Sequence, residues 1–556
     1  MDATDTMTRE RPEVLVVGAG PVGLTAAHEL LRRGIRVRLV AAAEGPAVTS
    51  RALATHARSL EIYDQMGILP GLLPRGQVVQ AFTLYQNGRR LARLGADYSE
   101  LPTRFPMTLM VDQTLTEEAL RTAVTGLGGT IEWGVRLDSL EQDGHGVRAL
   151  LTHPDGRSEE VASDWLVGCD GGHSTVRKQL GLQLIGSSSE TWLIADAEVD
   201  ADLPKNSLYW LRTPGGTIMA VPFPDRNRWR LLDTHDTDDA DPEAVRVRFE
   251  EKLAAGLGRP VRVSTPTWVS AFTIQQRMLP GMRKGRCFVA GDAAHVHSPA
   301  SGQGMNTGIQ DAYNLGWKLA SVIRGHADES LLDSYSDERV PVGAALLGST
   351  NRATSLIQLK HPVAGVLVPL MFKAVTSVRP LRTRLERKIM GGMSALGLDY
   401  AGSPLTASAP ATDGQQQQQP QPVPGMRVSR VAADRAGSGG WPELLAELRR
   451  VDWTLLVFGD AGDGVARQLD AEYGAWLSVR TVGGDGGGHG HLADPDGLLA
   501  GDLGARPGGW LLVRPDGYLA ARGEVLTADV VAGHAAAYAG RRTAARREDP
   551  QPLRNH

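Results

Sequence analysis

The sequence predicts an α/β protein of several domains, and three observations carry that prediction. The apolar run Arg11–Val17 leads into Gly18-Ala19-Gly20-Pro21-Val22-Gly23 and then a helical pattern through Leu24, Ala27, Leu30 and Leu31. Two further apolar runs, Trp165–Cys169 and Cys287–Ala290, are each closed by glycine and aspartate, Asp170-Gly171 and Gly291-Asp292, ahead of a helical stretch. Between them, Val78–Arg93 and Leu182–Trp268 alternate apolar and polar residues with the period of a half-buried strand. Strand, glycine turn and helix in succession imply a Rossmann-like parallel sheet, and the alternating stretches imply a largely antiparallel sheet inserted into it.

The 556 residues exceed what one core usually holds, about 250–300 residues, so a large ligand can be buried. Hydrophobic content of 42% and charged content of 22% are those of an ordinary globular protein. A net charge of −4 offers no electrostatic footprint for nucleic acid. Cys169 and Cys287 lie in apolar runs without paired spacing, which suits a reducing compartment. The stretch Met1–Glu13 lacks an apolar signal core, and no run approaches the roughly 18 apolar residues of a membrane span. The expectation is a cytoplasmic protein with no membrane partner.

Taken in order, Gly18 to Gly23, the helix after them and the strand Ile35–Val40 form a βαβ unit. Its glycines serve a tight turn, close approach to a pyrophosphate, and helix–sheet packing. An acid usually ends the second strand and holds an adenosine ribose, and here that position is Ala41; Glu44 lies three residues late. Either Glu44 reaches back, or water and backbone hold the sugar. Weaker cofactor retention is expected, because a charge-assisted hydrogen bond contributes about 1.5–3 kcal/mol. Ser50–Ile62 reads as an amphipathic helix; on it, Arg58 and Glu61 form a helix-face ion pair of little worth, and His56 is structural.

The inserted stretches concentrate Trp192, Trp210, Trp229, Trp268 and Phe272, each open to two readings, a flat binding pocket or core packing. Asn87-Gly88 marks a hairpin. Phe105–Leu109 and Asp112-Gln113 lead into a helix over Thr116–Val124, and Trp165 to Arg177 into the second Asp-Gly turn. After Gly291-Asp292-Ala293-Ala294-His295 come Pro299, Gly302 and Gly304, then a helix from about Met305 with Ile309, Ala312, Leu315 and Leu319 apolar. Glycines just ahead of a helix let a ligand reach free backbone N–H groups, and the positive end of the helix dipole favours negative charge there.

Helical patterns follow over Ser330–Arg339 and from Pro341 to about Leu396. Asp413–Pro422 is low-complexity and too polar to bury, hence a linker. Beyond it Pro442–Arg450 reads as a helix, Asp452–Phe458 as a buried strand, and Trp510–Tyr518 as strand–turn–strand. Gly459–Gly464 has the wrong glycine spacing for a phosphate loop and places two acids in it. His295-Val296-His297 and His489-Gly490-His491 lack a spaced third ligand, so no metal site is predicted. The arginines from Arg541 to Arg547 read as a helix end and solvated tail.

The three motifs, Gly18–Gly23, Cys169–Arg177 and Gly291–His295 with the Gly302-Gln303-Gly304-Met305-Asn306 turn, resemble in this order class A flavoprotein monooxygenases. These are the relatives of para-hydroxybenzoate and phenol hydroxylases, and the bacterial aromatic-polyketide hydroxylases are the nearer match. The resemblance implies an FAD-binding domain of the para-hydroxybenzoate hydroxylase type, an inserted β-sheet substrate domain and a C-terminal thioredoxin-like domain. By that resemblance the FAD-binding domain takes 1–77, 106–180 and 280–400, and the substrate domain 78–105 and 181–279. A linker at 401–424, the thioredoxin-like domain at 425–541 and a tail at 542–556 complete the chain. The last domain has no cysteine, so its default role is structural or in a homodimer contact.

The same resemblance implies non-covalent FAD, NADPH or NADH as a transient reductant, and O2. It implies oxygen transfer from a flavin C4a-hydroperoxide to a small-molecule polycyclic, polyketide-like aromatic. Gly18, Gly20, Pro21, Val22 and Gly23 would meet the pyrophosphate, with Gln113 beside it. Arg51 is the candidate catalytic cation near the flavin. Asp170 would serve the flavin and nicotinamide region, Asp292 the ribityl hydroxyls, and Pro299 the reactive face. Gly302, Gly304, Met305 and Asn306 would border the pyrimidine edge. Baeyer–Villiger insertion beside a polyketide ketone or quinone stays open, and no general base is identified. A flavin halogenase is disfavoured because W-x-W-x-I is absent, while Ala41 leaves room for a flavin-poor binding or scaffold protein.

Overall fold

Val14–Val17 is buried at every position and pairs in parallel with Val37–Ala41 on one side and Trp165–Gly168 on the other. A strand buried on both faces belongs at the middle of a parallel sheet, and this one does. The computed structural model describes residues 11–50, 52–95, 101–213, 215–225, 227–234, 241–297, 302–358, 378, 384, 391–407, 422–459, 463–483 and 490–529. Arg51, Pro299, most of the expected linker, His489 and the expected tail lie outside the described residues.

Two compact units divide the chain: Met1–Tyr313 with Arg339–Leu398 and Val431–Asp434, and Asn314–Glu338 with Asp399–Arg430 and Arg435–His556. In the first, the central sheet runs Arg283–Lys284, Cys287–Val289, Trp165–Gly168, Val14–Val17, Val37–Ala41, Ile131–Trp133. All neighbours are parallel except the antiparallel edge pair at Arg283–Lys284. The three glycine-terminated strands lie side by side, so their C-terminal turns open at one end of the sheet, where α/β folds bind ligands.

Ser50–Ile62 is not one amphipathic helix. Ala54–Thr55 is a short strand paired with Met110 and Leu109, and the helix runs Ala57–Gln65 with every residue buried. Nor does Pro341 break its helix, which runs unbroken over Asp333–Gln358 with the proline inside. A proline forfeits one backbone hydrogen bond, and here the flanking turns carry the helix through.

The inserted sheet has nine strands. Its main path is His295–Val296, Trp268–Met278, Ile185–Asp200, Arg228–Asp233, Gly216–Pro222, Ser207–Thr213, Ala81–Gln86, Arg89–Gly95. Every pairing is antiparallel except Ser207–Thr213 with Ala81–Gln86, which is parallel. Those strands belong to the two separate insertions, and Thr83 Oγ1 and Ser207 Oγ lie 2.7 Å apart across the seam. The helix Pro242–Leu257, capped by the Asp241 carboxylate on Ala244 N–H, covers one face. Val245, Phe249 and Leu253 pack there against Leu193, Ala195, Tyr209, Leu211, Trp229 and Leu231. Trp229 is therefore core.

The second unit contains the sheet Leu477–Val482, Trp453–Phe458, Trp510–Val513, Leu519–Gly523. Its first pair is parallel, joined by the helix Asp463–Tyr473, and the other two pairs are antiparallel. Beneath it lies a buried ionic knot. Arg514 donates to both oxygens of Glu338 at 2.7 and 2.9 Å and to Asp516, and Lys318 Nζ donates to Glu338 at 2.7 Å. Burial pulls the Lys318 pKa down to about 8, although Glu338 opposes this.

Candidate functional site

The three glycine turns close on one another, the first two backbone to backbone and the third through the Val22 side chain. Gly18 has φ +104°, and a Cβ there would strike the Cys169 carbonyl; a Cβ on Gly23 would strike the Gly18 carbonyl oxygen. A Cβ on Gly291 would lie 2.8 Å from Val22 Cγ2, and one on Gly308 would lie 2.6 Å from that atom and 3.0 Å from Gly291 Cα. Val22 is thus the point on which the first turn, the third turn and the helix Gly304–Ile323 close. Beside this contact Gly20 faces open space, with no heavy atom within 4 Å of where its Cβ would stand. The helix Pro21–Leu31 has no side-chain cap and no acid in its first turn. Its free N–H groups and positive dipole end suit a phosphate.

Asp292 stands exposed on the turn Gly291–Ala293, and the turn is held from beneath. Asp311 Oδ2 accepts the Gly291 N–H at 3.1 Å and lies 2.6 Å from His295 Nε2; Arg339 Nε donates to Asp311 Oδ1 at 2.8 Å. Burial alone would lower the His295 pKa, but Asp311 and Asp292 outweigh it and the pKa is raised. Burial alone would raise the Asp311 pKa, but His295 and Arg339 outweigh it and hold it low. Sequence reasoning missed Asp311 and Arg339. The available signal was the one carboxylate of the helix Gly304–Ile323, set on the face of Thr307, Gly308 and Asn314.

Asp170 is spent on its own helix. Its Oδ1 accepts from Ser174 Oγ at 2.5 Å, and Oδ2 accepts the N–H groups of Thr175 and Val176 at 2.6 and 3.1 Å. Arg177 then bridges the second and third turns, donating to the carbonyls of Gly172 and Ala293 at 2.8 and 3.2 Å. Cys169 and Cys287 are both free and buried; burial raises both thiol pKa values, Cys287 to about 12, so neither supplies a thiolate.

At the other edge, Gly302 has φ +62° and Met305 is half-buried in the first turn of its helix. Asn306 Nδ2 donates to the carbonyls of Ala54 and Gly302, both at 2.9 Å, and its Oδ1 accepts the His56 N–H at 2.9 Å. Its side chain fixes the turn, leaving backbone N–H groups at the helix start for a ligand. A Cβ on Gly304 would lie 3.1 Å from His297 Cε1. His56 is buried with Nδ1 3.2 Å from Thr108 Oγ1, a structural setting. Gln113 Oε1 accepts the Ala52 N–H and its Nε2 donates to Glu117, both at 2.8 Å, so it ties down the residue after Arg51.

Ala41 is 4% exposed at its strand end, its carbonyl taken by Val135 N–H at 2.9 Å, and Glu44 is exposed on the loop beyond. Neither offers a buried acid for a ribose. Arg58 and Glu61 form their pair at 3.0 Å, but in the core, with Thr103 Oγ1 donating to Glu61 at 2.8 Å. Their reading as a helix-face pair of little worth is corrected, because a buried cation left without its carboxylate is costly.

The sheet face opposite the helix Pro242–Leu257 carries Trp192, Ile194, Leu232 and Ile274, with Met219, Trp268 and Phe272 partly exposed beside them. On that face Arg230 makes two 2.8 Å bonds to Asp196 and donates to the Ser50 carbonyl at 2.6 Å, next to Arg51. Among the described residues no group of three or more His, Cys, Asp or Glu is placed to hold a metal, and no helix is long and apolar enough to cross a membrane.

A glycine cradle over an uncapped helix start, an exposed acid on the neighbouring turn and an apolar sheet alongside define a flavin-dinucleotide protein, and the residues present fit FAD except at Ala41. Residues 11–350 match the FAD binding domain family, and the chain belongs to it. It is 53% identical over 518 residues, 92% of this chain and 91% of the relative, to 6-methylpretetramide 4-monooxygenase of Streptomyces rimosus. Among solved structures it is similar to the flavin-dependent monooxygenase PieE in complex with FAD and substrate. That likeness has TM-score 0.76 and 27% identity over 94% of this chain and 99% of the other. It is also similar to OxyS anhydrotetracycline hydroxylase from Streptomyces rimosus, with TM-score 0.73 and 29% identity over 95% and 99%. The chain is an FAD-dependent monooxygenase, using O2 and a reduced nicotinamide.

Proposed function

We propose that this monooxygenase hydroxylates a polycyclic aromatic, polyketide-like molecule held against the sheet face that carries Trp192, Trp268 and Phe272. The carrying observation is the closure of the three glycine turns, the second against Gly18 and the third against Val22, next to an apolar sheet face. Relatives named as monooxygenases of 6-methylpretetramide and anhydrotetracycline support the substrate class. Bound FAD supplies the reduction of O2 and the transfer of one oxygen atom.

In this reading the turn Gly18 to Gly23 receives the pyrophosphate through the N–H groups of Gly20, Val22 and Gly23, with Gly18 setting the turn, Pro21 starting the helix and Gln113 alongside. Asp292 takes the ribityl hydroxyls. The backbone of Met305 and Asn306, exposed by Gly302 and Gly304, meets the negative pyrimidine edge at the start of a helix. Asp170 shapes the nicotinamide side by holding its turn rather than by touching a ligand with a free carboxylate. Arg51 and Pro299 keep the flavin-side roles that the resemblance implies. The sheet face keeps water from the reacting atoms.

The second unit, a parallel pair bridged by a helix and followed by a hairpin, supports a thioredoxin-like reading with a structural or homodimer-contact role. A cytoplasmic setting suits free buried cysteines.

The test is NADPH and NADH consumption with polycyclic phenols and quinones, read with product mass and NMR. A yellow protein giving a product with one added ring hydroxyl supports the function. A ring-expanded lactone overturns hydroxylation in favour of Baeyer–Villiger insertion, and a colourless protein unable to take up FAD overturns both.

A further inference from the structure

We infer that Arg230 is a positioning residue for the flavin site: from the inserted sheet it fixes Ser50 and, through Ser50, the helix start at Gln113. The inference rests on the reading that sets Gln113 beside the flavin pyrophosphate.

Arg230 lies on the strand Arg228–Asp233, directly across the ladder from Asp196, and the two are 4% and 5% exposed. Its guanidinium is fixed before it reaches anything outside the sheet. Nε and Nη2 each donate to one oxygen of Asp196, and the ring centroids of Phe223 and Trp268 lie 5.3 and 5.2 Å from Cζ. The third bond leaves the sheet: Nη2 also donates to the carbonyl of buried Ser50, 180 residues earlier in the chain. Stability alone does not account for this arrangement, because a buried ion pair replaced by well-packed apolar residues is often neutral or stabilising. A planar fork that serves a carboxylate and a carbonyl together does account for it, and a lysine cannot reproduce that geometry.

From Ser50 the bonds run to Gln113. Ser50 Oγ accepts the Gln113 N–H at 3.2 Å and donates to the Ala52 carbonyl at 2.5 Å, while Gln113 Oε1 accepts the Ala52 N–H at 2.8 Å. Ser50, Ala52 and Gln113 therefore form one bonded unit. Arg228, two residues away on the same face of the strand, donates at 3.3 Å to Asp112, whose other oxygen caps the helix Gln113–Gly126. One strand of the substrate sheet thus holds the start of that helix at two points, by Ser50 and by Asp112. The Arg228 side chain is 34% exposed, so its pair is the weaker hold.

Arg230→Lys keeps a charge opposite Asp196 and gives up the fork. In the FAD-loaded full chain the Ala52 and Gln113 N–H groups should then exchange with solvent about tenfold faster, while Leu193 and Ala195 in the sheet stay within about twofold. FAD affinity, titrated into protein stripped of cofactor, should fall about tenfold, the worth of one hydrogen bond to a charged group. Glu338→Gln removes a buried charge outside this set of bonds and serves as the control, with FAD affinity unchanged. If Leu193 and Ala195 loosen as much as Ala52 and Gln113, if none of them changes, or if the lysine variant keeps its FAD affinity, the assignment is overturned.

A second variant guards against a lysine variant that folds poorly. Asp196→Leu combined with Arg230→Met leaves no buried charge unpaired, and it should lose as much FAD affinity; retained affinity overturns the assignment. Gln113→Leu tests the underlying reading separately. If that variant binds FAD as tightly as wild type, the pyrophosphate reading of Gln113 fails, and Arg230 stands only if its own exchange and affinity results hold.

Discussion

Replacing Asp311 by alanine should loosen the flavin site through a residue that touches no ligand. The carboxylate is 0% exposed and satisfies three donors, His295 Nε2, Gly291 N–H and Arg339 Nε, at 2.6, 3.1 and 2.8 Å. Its loss leaves Arg339, 1% exposed, without its carboxylate, and frees the turn that presents Asp292. Removing one partner of a buried ion pair costs about 3–5 kcal/mol. With about 2.1 cal/mol/K of unfolding entropy per residue, a unit of this size loses roughly 1–2 °C per kcal/mol, so the melting temperature should fall by roughly 5 °C. FAD affinity, titrated into apoprotein, should fall by at least about tenfold.

The deficit should also depend on pH. His295 has a folded pKa above its ordinary 6.5, so its contribution is complete below 6.5 and is lost as pH rises through the folded value. Asp311 has a folded pKa below its ordinary 3.8, so its contribution is complete above 3.8 and is lost as pH falls through the folded value. The gap between wild type and Asp311→Ala should therefore be widest from about pH 4 to 6.5 and narrow on the alkaline side. A variant melting within about 1 °C of wild type, with unchanged FAD affinity and a flat pH dependence, would refute the reasoning.

Three other outcomes are expected. Ala41→Glu restores an acid at the strand end and should tighten FAD about tenfold, seen as slower cofactor loss on dialysis; no change would mean the ribose is already held by other groups. Gly23→Ala places a methyl against the Gly18 carbonyl oxygen and should yield colourless protein, whereas normal flavin absorbance would show that the turn can shift. In the second unit, Glu338→Gln leaves Arg514 and Lys318 buried beside a neutral amide and should cost about 3–5 kcal/mol in denaturant unfolding, without a change in FAD affinity.

The local units of this fold are legible in the chain because their chemistry is local. Gly18 to Gly23 announces a strand, a tight turn and a helix start through adjacent residues, and the Asp170-Gly171 and Gly291-Asp292 turns do the same. Ala41 declares its departure by position alone. Alternation along Ile185–Asp200 separates two faces, but it does not say which one a helix will cover. The docking of Pro242–Leu257 put Trp229 in the core beneath that helix, while Trp192 is buried in a separate cluster on the other face. Arg58 and Glu61, three residues apart, look like a solvated pair until packing encloses their helix on all sides. Asp311 reaches His295 and Arg339 from 16 and 28 residues away along the chain. Contacts of that kind arise only when separate segments pack together, because burial and partner choice depend on the whole surrounding shell, and spacing along a single strand or helix carries no record of it.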